Sequence, residues 1–265
     1  MQLKTLCVTA LLAAGSVGIA CANPVNIVQN GDFSETTNGT SVPTQFGNGS
    51  GNGFTAQQFI KYWTGNNGYE IWYPNANAAQ NVNAIGEWTG TGKEKLYGPI
   101  SAPPNGTMTF VGLDGDQTNG VQSSIGQMLT GLTIGATYTV SFDWAAAQLQ
   151  SRTGATTESL QVSFGSQSQT TAVVNNPSES FTGWFSASFD FVADSTSAFL
   201  NFLSIGTPNG LPPVALLSSV SVSQAVPEPP ALALFGAGLL GLGLLTVSAR
   251  RRALRRQAVV DGSVA

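Results

Sequence analysis

The sequence predicts an all-β protein, a jelly-roll β-sandwich carried between two apolar end segments. Three observations predict it. Outside the ends the hydrophobic period is two rather than 3.6, the spacers are short and rich in Gly, Asn, Pro and Ser, and no helix-period segment interrupts them. About 200 residues bury roughly 70% of their unfolded surface, enough for one sandwich without covalent staples.

Taken in order, the body over 23–225 opens with Asn26-Ile27-Val28-Gln29-Asn30-Gly31-Asp32-Phe33-Ser34-Glu35, an aliphatic strand followed by an Asn-Gly turn, an aromatic and an acid. Residues 38–53 carry Asn-Gly and Gly-Asn pairs and almost nothing apolar, which reads as a flexible inserted loop, either a plain connection or a binding loop. Strands are next expected over 108–113 and 121–129. Thr137-Tyr138-Thr139-Val140-Ser141-Phe142-Asp143-Trp144 alternates throughout, the signature of a strand with one buried face. Leu160, Val162 and Phe164 repeat that period, as do Phe185, Ala187, Phe189 and Phe191. Residues 197–205 are apolar on both sides, as in a central strand, and 214–222 supply the last one.

The ends are targeting segments rather than fold. Lys4, an apolar run over 6–20 and Ala20-Cys21-Ala22 predict a signal peptide over 1–22, cut by signal peptidase after Ala22. A lipoprotein modified at Cys21 is the weaker alternative, because Gly18 stands where a larger aliphatic residue is preferred. Cys7 and Cys21 leave with the peptide, so the mature chain can form no disulfide. At the other end, residues 231–249 carry no charge and as a helix would measure about 28 Å, close to the hydrocarbon thickness of about 30 Å. Arg250, Arg251, Arg252, Arg255 and Arg256 follow at once, favouring a transmembrane helix with a stop-transfer cluster over a buried core helix. This topology puts the tail over 257–265 in the cytoplasm and the body outside.

Between body and span stands Val226-Pro227-Glu228-Pro229-Pro230, whose prolines hold an extended, unpaired segment open to a processing enzyme. Pro227, Glu228 and Pro229, the span and the arginines resemble, over 226–256, the PEP-CTERM sorting signal of Gram-negative bacteria. That resemblance implies cleavage by an exosortase-type membrane protease after transient anchoring in the inner membrane. Residence at the cell surface or in the extracellular matrix would follow, often in exopolysaccharide producers. The tail over 257–265 is longer than the family's usual one.

Composition excludes several function classes. The chain has no histidine, which removes Ser-His-Asp and Cys-His catalysis and His-based metal sites. The body holds four basic residues (Lys61, Lys93, Lys95, Arg152) against twelve acids, a net charge of −8 that the five tail arginines mask. With no basic stripe, nucleic acid is excluded as a partner.

Three stretches of the body, 26–35, the Thr-Tyr-Thr-x-Ser-Phe-Asp run inside 132–143, and 217–222, resemble galactose-binding-like jelly rolls of the DUF642 and choice-of-anchor groups. That resemblance implies a structural calcium held by an acid after the first strand, here Glu35, and by an acid in the last. Ser218 and Ser219 stand in place of the final acidic pair, and calcium prefers six to eight oxygens including carboxylates, so a weakened site is implied. Asp114-Gly115-Asp116 begins like another calcium loop, but an EF-hand needs Glu where Ile125 stands, and a solvated turn is expected instead.

Aromatic residues crowd one stretch and leave two readings open. Trp63 and Trp72 fit inward strand positions, whereas Tyr62, Tyr69, Tyr73 and Trp88 are the candidates for exposed rings that stack on a sugar face. Trp144 and Trp184 read as core. No spacing among the twelve acids singles out a catalytic pair, and Asp143 alternates to the polar side of its strand as an ordinary solvated aspartate. The function expected is therefore an exported, non-catalytic surface or matrix protein that binds or embeds in exopolysaccharide. Its rivals are a structural or protein-interaction protein with no sugar site and, behind it, a secreted glycoside hydrolase.

Overall fold

The computed structural model describes residues 25–47, 53–80, 94–118, 120–150 and 152–225. The predicted signal peptide, Trp88, the Pro-Glu-Pro motif, the 231–249 span and the arginines after it lie outside the described residues. Among the described residues no helix is long and apolar enough to cross a membrane.

Among the described residues twelve strands build two sheets: β1 (Thr44–Gly47), β2 (Thr64–Gly65), β3 (Tyr69–Tyr73), β4 (Phe110–Asp114), β5 (Ser124–Thr130), β6 (Thr137–Gln148), β7 (Thr156–Phe164), β8 (Gln167–Thr170), β9 (Val174–Asn176), β10 (Phe185–Val192), β11 (Ser197–Thr207) and β12 (Pro213–Gln224). One helical turn, α1 (Ala76–Ala79), follows β3. The first sheet runs β1-β3-β4-β12-β6-β10; the second runs β2-β5-β11-β7-β8, with β9 also paired to β7. The pairings within both sheets are antiparallel. This is the all-β sandwich that the alternation predicts.

The apolar halves of the alternating strands meet between the sheets. Tyr138, Val140, Phe142 and Trp144 of β6 are buried with Leu160, Val162 and Phe164 of β7 and Leu200 and Phe202 of β11. Phe142 meets Phe202 edge-on at 5.2 Å across the gap. At the open side of the sandwich, edge strand β10 is blunted by the other sheet: Gln169 donates to the Asp190 carbonyl at 2.8 Å and Gln167 to that of Val192. Occupied carbonyls are poor templates for another chain's strand.

Four expectations change. Residues 26–29 form no strand; Ile27 donates one backbone bond to Val222 at 2.9 Å before the chain turns at Asn30 (φ 52°). The loop expected over 38–53 contains β1, because Phe46 is wholly buried and anchors it beside β3. β6 runs four residues past Trp144, since its outer face there is also covered. β11 is central, yet Phe199 on its outer side stays 39% exposed, so its two apolar faces are not both sealed.

That extra cover positions the site. On the outer face of the first sheet a second apolar cluster joins Ile71, Tyr73, Phe110, Ala145, Ala147, Val214 and Leu216 to Leu96 and Ile100 of the segment after α1. The cluster stops at Ala145 on β6 and Leu216 on β12. Beyond it the same face of β12, β6 and β10 turns polar.

A hydroxyl-lined trough as candidate functional site

The polar halves of three neighbouring strands create the site. Ser141 on β6 pairs with Ser188 on β10 and Ser221 on β12; Asp143 pairs with Ser186 and Ser218. Side chains in register on adjacent antiparallel strands share a face, so these residues carpet one patch. A bulge between Ser218 and Ser221 adds one residue, Ser219, in the left-handed region (φ 54°), and turns another hydroxyl toward it. Asn105 closes the side, and the depression encloses about 280 Å³.

At its base Asp143 is wholly buried, not solvated as its polar strand position predicts. The reason is a lid of donors: Asn105 Nδ2 donates to Oδ2 at 2.8 Å, and Ser186 Oγ donates to Oδ1 at 2.7 Å. Behind it Ser218 Oγ donates to the Thr109 carbonyl at 2.7 Å, while Thr107 Oγ1 lies 2.9 Å from Ser218 Oγ and 3.1 Å from Ser219 Oγ. The floor is therefore fixed, with Ser186 Oγ held as a donor to Asp143, and the exposed hydroxyl of Ser188 is free to rotate as donor or acceptor. Such a surface matches a hydroxyl-rich ligand edge. The next acid on this face, Asp190, pairs with Thr139, four residues along from Asp143. At about 3.3 Å per residue that is about 13 Å, beyond the roughly 5–9.5 Å that paired-carboxylate hydrolysis uses.

The tyrosines expected to stack on sugar are not brought together. Tyr62 is 55% exposed at φ 71°. Tyr69 is half-buried, and burial, with the charges of Glu94 and Asp114 adding, pushes its hydroxyl up to about 12. Tyr73 contradicts the expectation outright: it is wholly buried, stacks on Phe110 at 5.0 Å and donates to the Glu94 carbonyl at 2.7 Å. Both faces of β3 are covered, so no ring there meets solvent broadside. Trp63 and Trp72 take the inward reading; their indole N–H groups donate to the carbonyls of Asn30 at 2.9 Å and Phe33 at 2.8 Å. Trp144 is core, whereas Trp184 precedes β10, is half-buried against Phe110 and donates to the Ser101 carbonyl at 2.8 Å.

The residues implied for calcium do not fit that ion. Glu35 pairs with Lys61 (Oε2 to Nζ 3.5 Å), and its carbonyl already accepts from the Lys61 N–H and the Asn30 side chain, each at 3.0 Å. Asp114 and Asp116 form no solvated turn: both are buried. Asp116 accepts from Thr118 N at 2.8 Å, Thr118 Oγ1 at 2.6 Å and Gly210 N at 2.6 Å. Burial pushes Asp116 upward, but those donors outweigh it and hold the carboxyl below the ordinary value. Among the described residues no three acids, histidines or cysteines gather as a metal site.

Residues 73–222 match the DUF642 family, described as a protein of unknown function. The chain belongs to the DUF642 family. The matched stretch runs from the end of β3 into β12, so it holds the whole trough and leaves out Asn30, Glu35, Tyr62 and Tyr69. No curated protein matches this DUF642 chain. The solved structures similar to this chain include three with low TM-scores. TmCBM61 in complex with beta-1,4-galactotriose is 11% identical with a TM-score of 0.38, over 76% of this chain and 99% of that one. A putative sugar binding protein from Bacteroides thetaiotaomicron VPI-5482 is 10% identical with a TM-score of 0.34, over 76% and 100%. A structure described as CBM4 structure and function is 15% identical with a TM-score of 0.33, over 74% and 99%.

Proposed function

We propose that this DUF642 protein is an exported, non-catalytic cell-surface or matrix protein that binds exopolysaccharide through the trough on β6, β10 and β12. The observation that carries the reading is the buried Asp143 carboxylate, fixed by Asn105 and Ser186 beneath a carpet of serine hydroxyls. The body's charge of −8 argues for a neutral rather than an anionic glycan. Retention of the full chain on immobilised polysaccharides, including the producer's own, tests it. Retention lost in S188A or S221A supports the trough; no retention on any glycan refutes it.

One observation favours the rival, a structural or protein-interaction role. Among the described residues no aromatic side chain lies flat in the trough, since the Phe142 ring turns inward to Phe202. A chain that ignores glycans but captures a surface protein through the same serines meets that reading.

Export and sorting rest on the sequence ends: a signal peptide over 1–22, then Pro227-Glu228-Pro229, the 231–249 span and five arginines. Signal peptidase and an exosortase-type protease are the processing partners in this proposal, and the inner membrane the transient anchor. Intact mass of the mature protein tests it. A new C-terminus near Pro227 supports sorting, and retention of the arginine tail refutes it.

A further inference from the structure

We infer that the side-chain amide of Asn30 stands in for a cation in this chain, fastening the N-terminal turn to the segment around Lys61, so that the sandwich folds without calcium. The two chain segments converge through their carbonyls. Nδ2 of Asn30 donates to Glu35 O and to Lys61 O, both at 3.0 Å, from a residue in the left-handed region (φ 52°). The orientation of the amide is fixed, because Oδ1 accepts the Glu35 N–H at 2.9 Å and only an oxygen can do so. The two protons of the NH₂ group thus meet two carbonyls drawn from positions five and thirty-one residues away.

The surroundings exclude a dication on three counts. Glu35 O takes a second N–H from Lys61 at 3.0 Å, so both its lone pairs are engaged. The Lys61 ammonium lies 3.5 Å from the Glu35 carboxylate, placing a positive charge beside the acid implied as the ligand. On β12, Ser218 and Ser219 offer neutral hydroxyls that already bond to Thr107 and the Thr109 carbonyl. That falls short of the six to eight oxygens calcium takes. The Asn30 carbonyl joins the same node by accepting from Phe33 N at 3.0 Å and Trp63 Nε1 at 2.9 Å.

Thermal unfolding of the full chain, in EDTA and in millimolar CaCl₂, tests the inference. The wild-type Tm is expected to agree within about 1 °C between the two, and N30A to fall by about 3–8 °C in both. N30D is expected to fall in EDTA and recover in calcium, since its carboxylate would join the two carbonyls as a ligand. A wild-type Tm that rises by several degrees in calcium, or heat released on titrating calcium into the wild type, overturns the inference. So does N30A with an unchanged Tm, or N30D indifferent to calcium. If the variants fail to fold, the wild-type titration decides alone.

Discussion

Asn105 donates its side-chain amide to Oδ2 of Asp143 at 2.8 Å, joining the segment before β4 to the middle of β6. The bond does two things: it buries a carboxylate that its strand position would leave wet, and it closes one side of the trough. D143A strands both Asn105 and Ser186, so it is expected to abolish glycan retention and to cost about 1–3 kcal/mol of stability. S188A and S221A remove only outward hydroxyls. They are expected to weaken retention while stability stays within about 0.5 kcal/mol of wild type. Affinity electrophoresis beside urea unfolding separates the two effects.

Trp72 and Trp63 serve the N-terminal turn as donors, to Phe33 O and Asn30 O. W72F keeps an aromatic ring beside Phe59, 5.8 Å away in the native protein, but removes the buried donor that the Phe33 carbonyl uses. A loss of about 1–3 kcal/mol is expected in urea unfolding, and a similar loss for W63F. Because the Phe33 ring packs on Trp63 at 4.9 Å, the two changes share a neighbour. The double mutant is expected to lose less than the sum.

Burial raises three carboxylates: Glu70 and Glu158 to about 8, from an ordinary 4.5, and Asp114 to about 7, from 3.8. Hydrogen bonds from Asn66 and Gly68 to Glu70, and from Thr156 to Glu158, oppose the rise without cancelling it. The folded state therefore holds protons that the unfolded chain releases near pH 4. The stabilisation is complete below that point and is lost as pH climbs to about 8. Urea midpoints are expected to fall steadily from pH 5 to pH 8, and E158Q to flatten part of that slope. A midpoint that rises over this interval contradicts the assignment.

Legibility in the sequence followed the cause of each feature. Strands with one wet face, β6, β7 and β10, announce themselves by alternation, because water and core select opposite residue types. β3 does not: Tyr69, Ile71 and Tyr73 lie under the segment after α1 while Trp72 faces the core, and its one charged residue, Glu70, is itself buried, so no wet face marks its phase. That hidden cover turned Tyr73 from a predicted sugar platform into core. The trough residues were visible as the polar positions of their strands. Their convergence was not, since it depends on β6 lying between β10 and β12 and on a bulge at Ser219. Asn105 carried no signal at all in its Pro-Asn-Gly turn.

At the far end of the sandwich the two sheets approach through a glycine. A Cβ added at Gly206 on β11 would lie 2.4 Å from Cβ and Cγ of Pro213 on β12 and 2.8 Å from the Thr157 carbonyl. Neither neighbour can swing away, one being a ring and the other backbone of a paired strand. G206A is expected to cost about 1–3 kcal/mol by overpacking. Gly131 is the control: it has a positive φ of 79° but open space around it, so G131A strains only its own backbone and is expected to cost about 1–2 kcal/mol. P213G removes the atoms that clash with the new methyl. The double mutant G206A/P213G is therefore expected to be more stable than the sum of the single losses in urea unfolding, whereas G131A/P213G should be additive. Additivity in both cycles would mean that Gly206 does not set the spacing between the sheets.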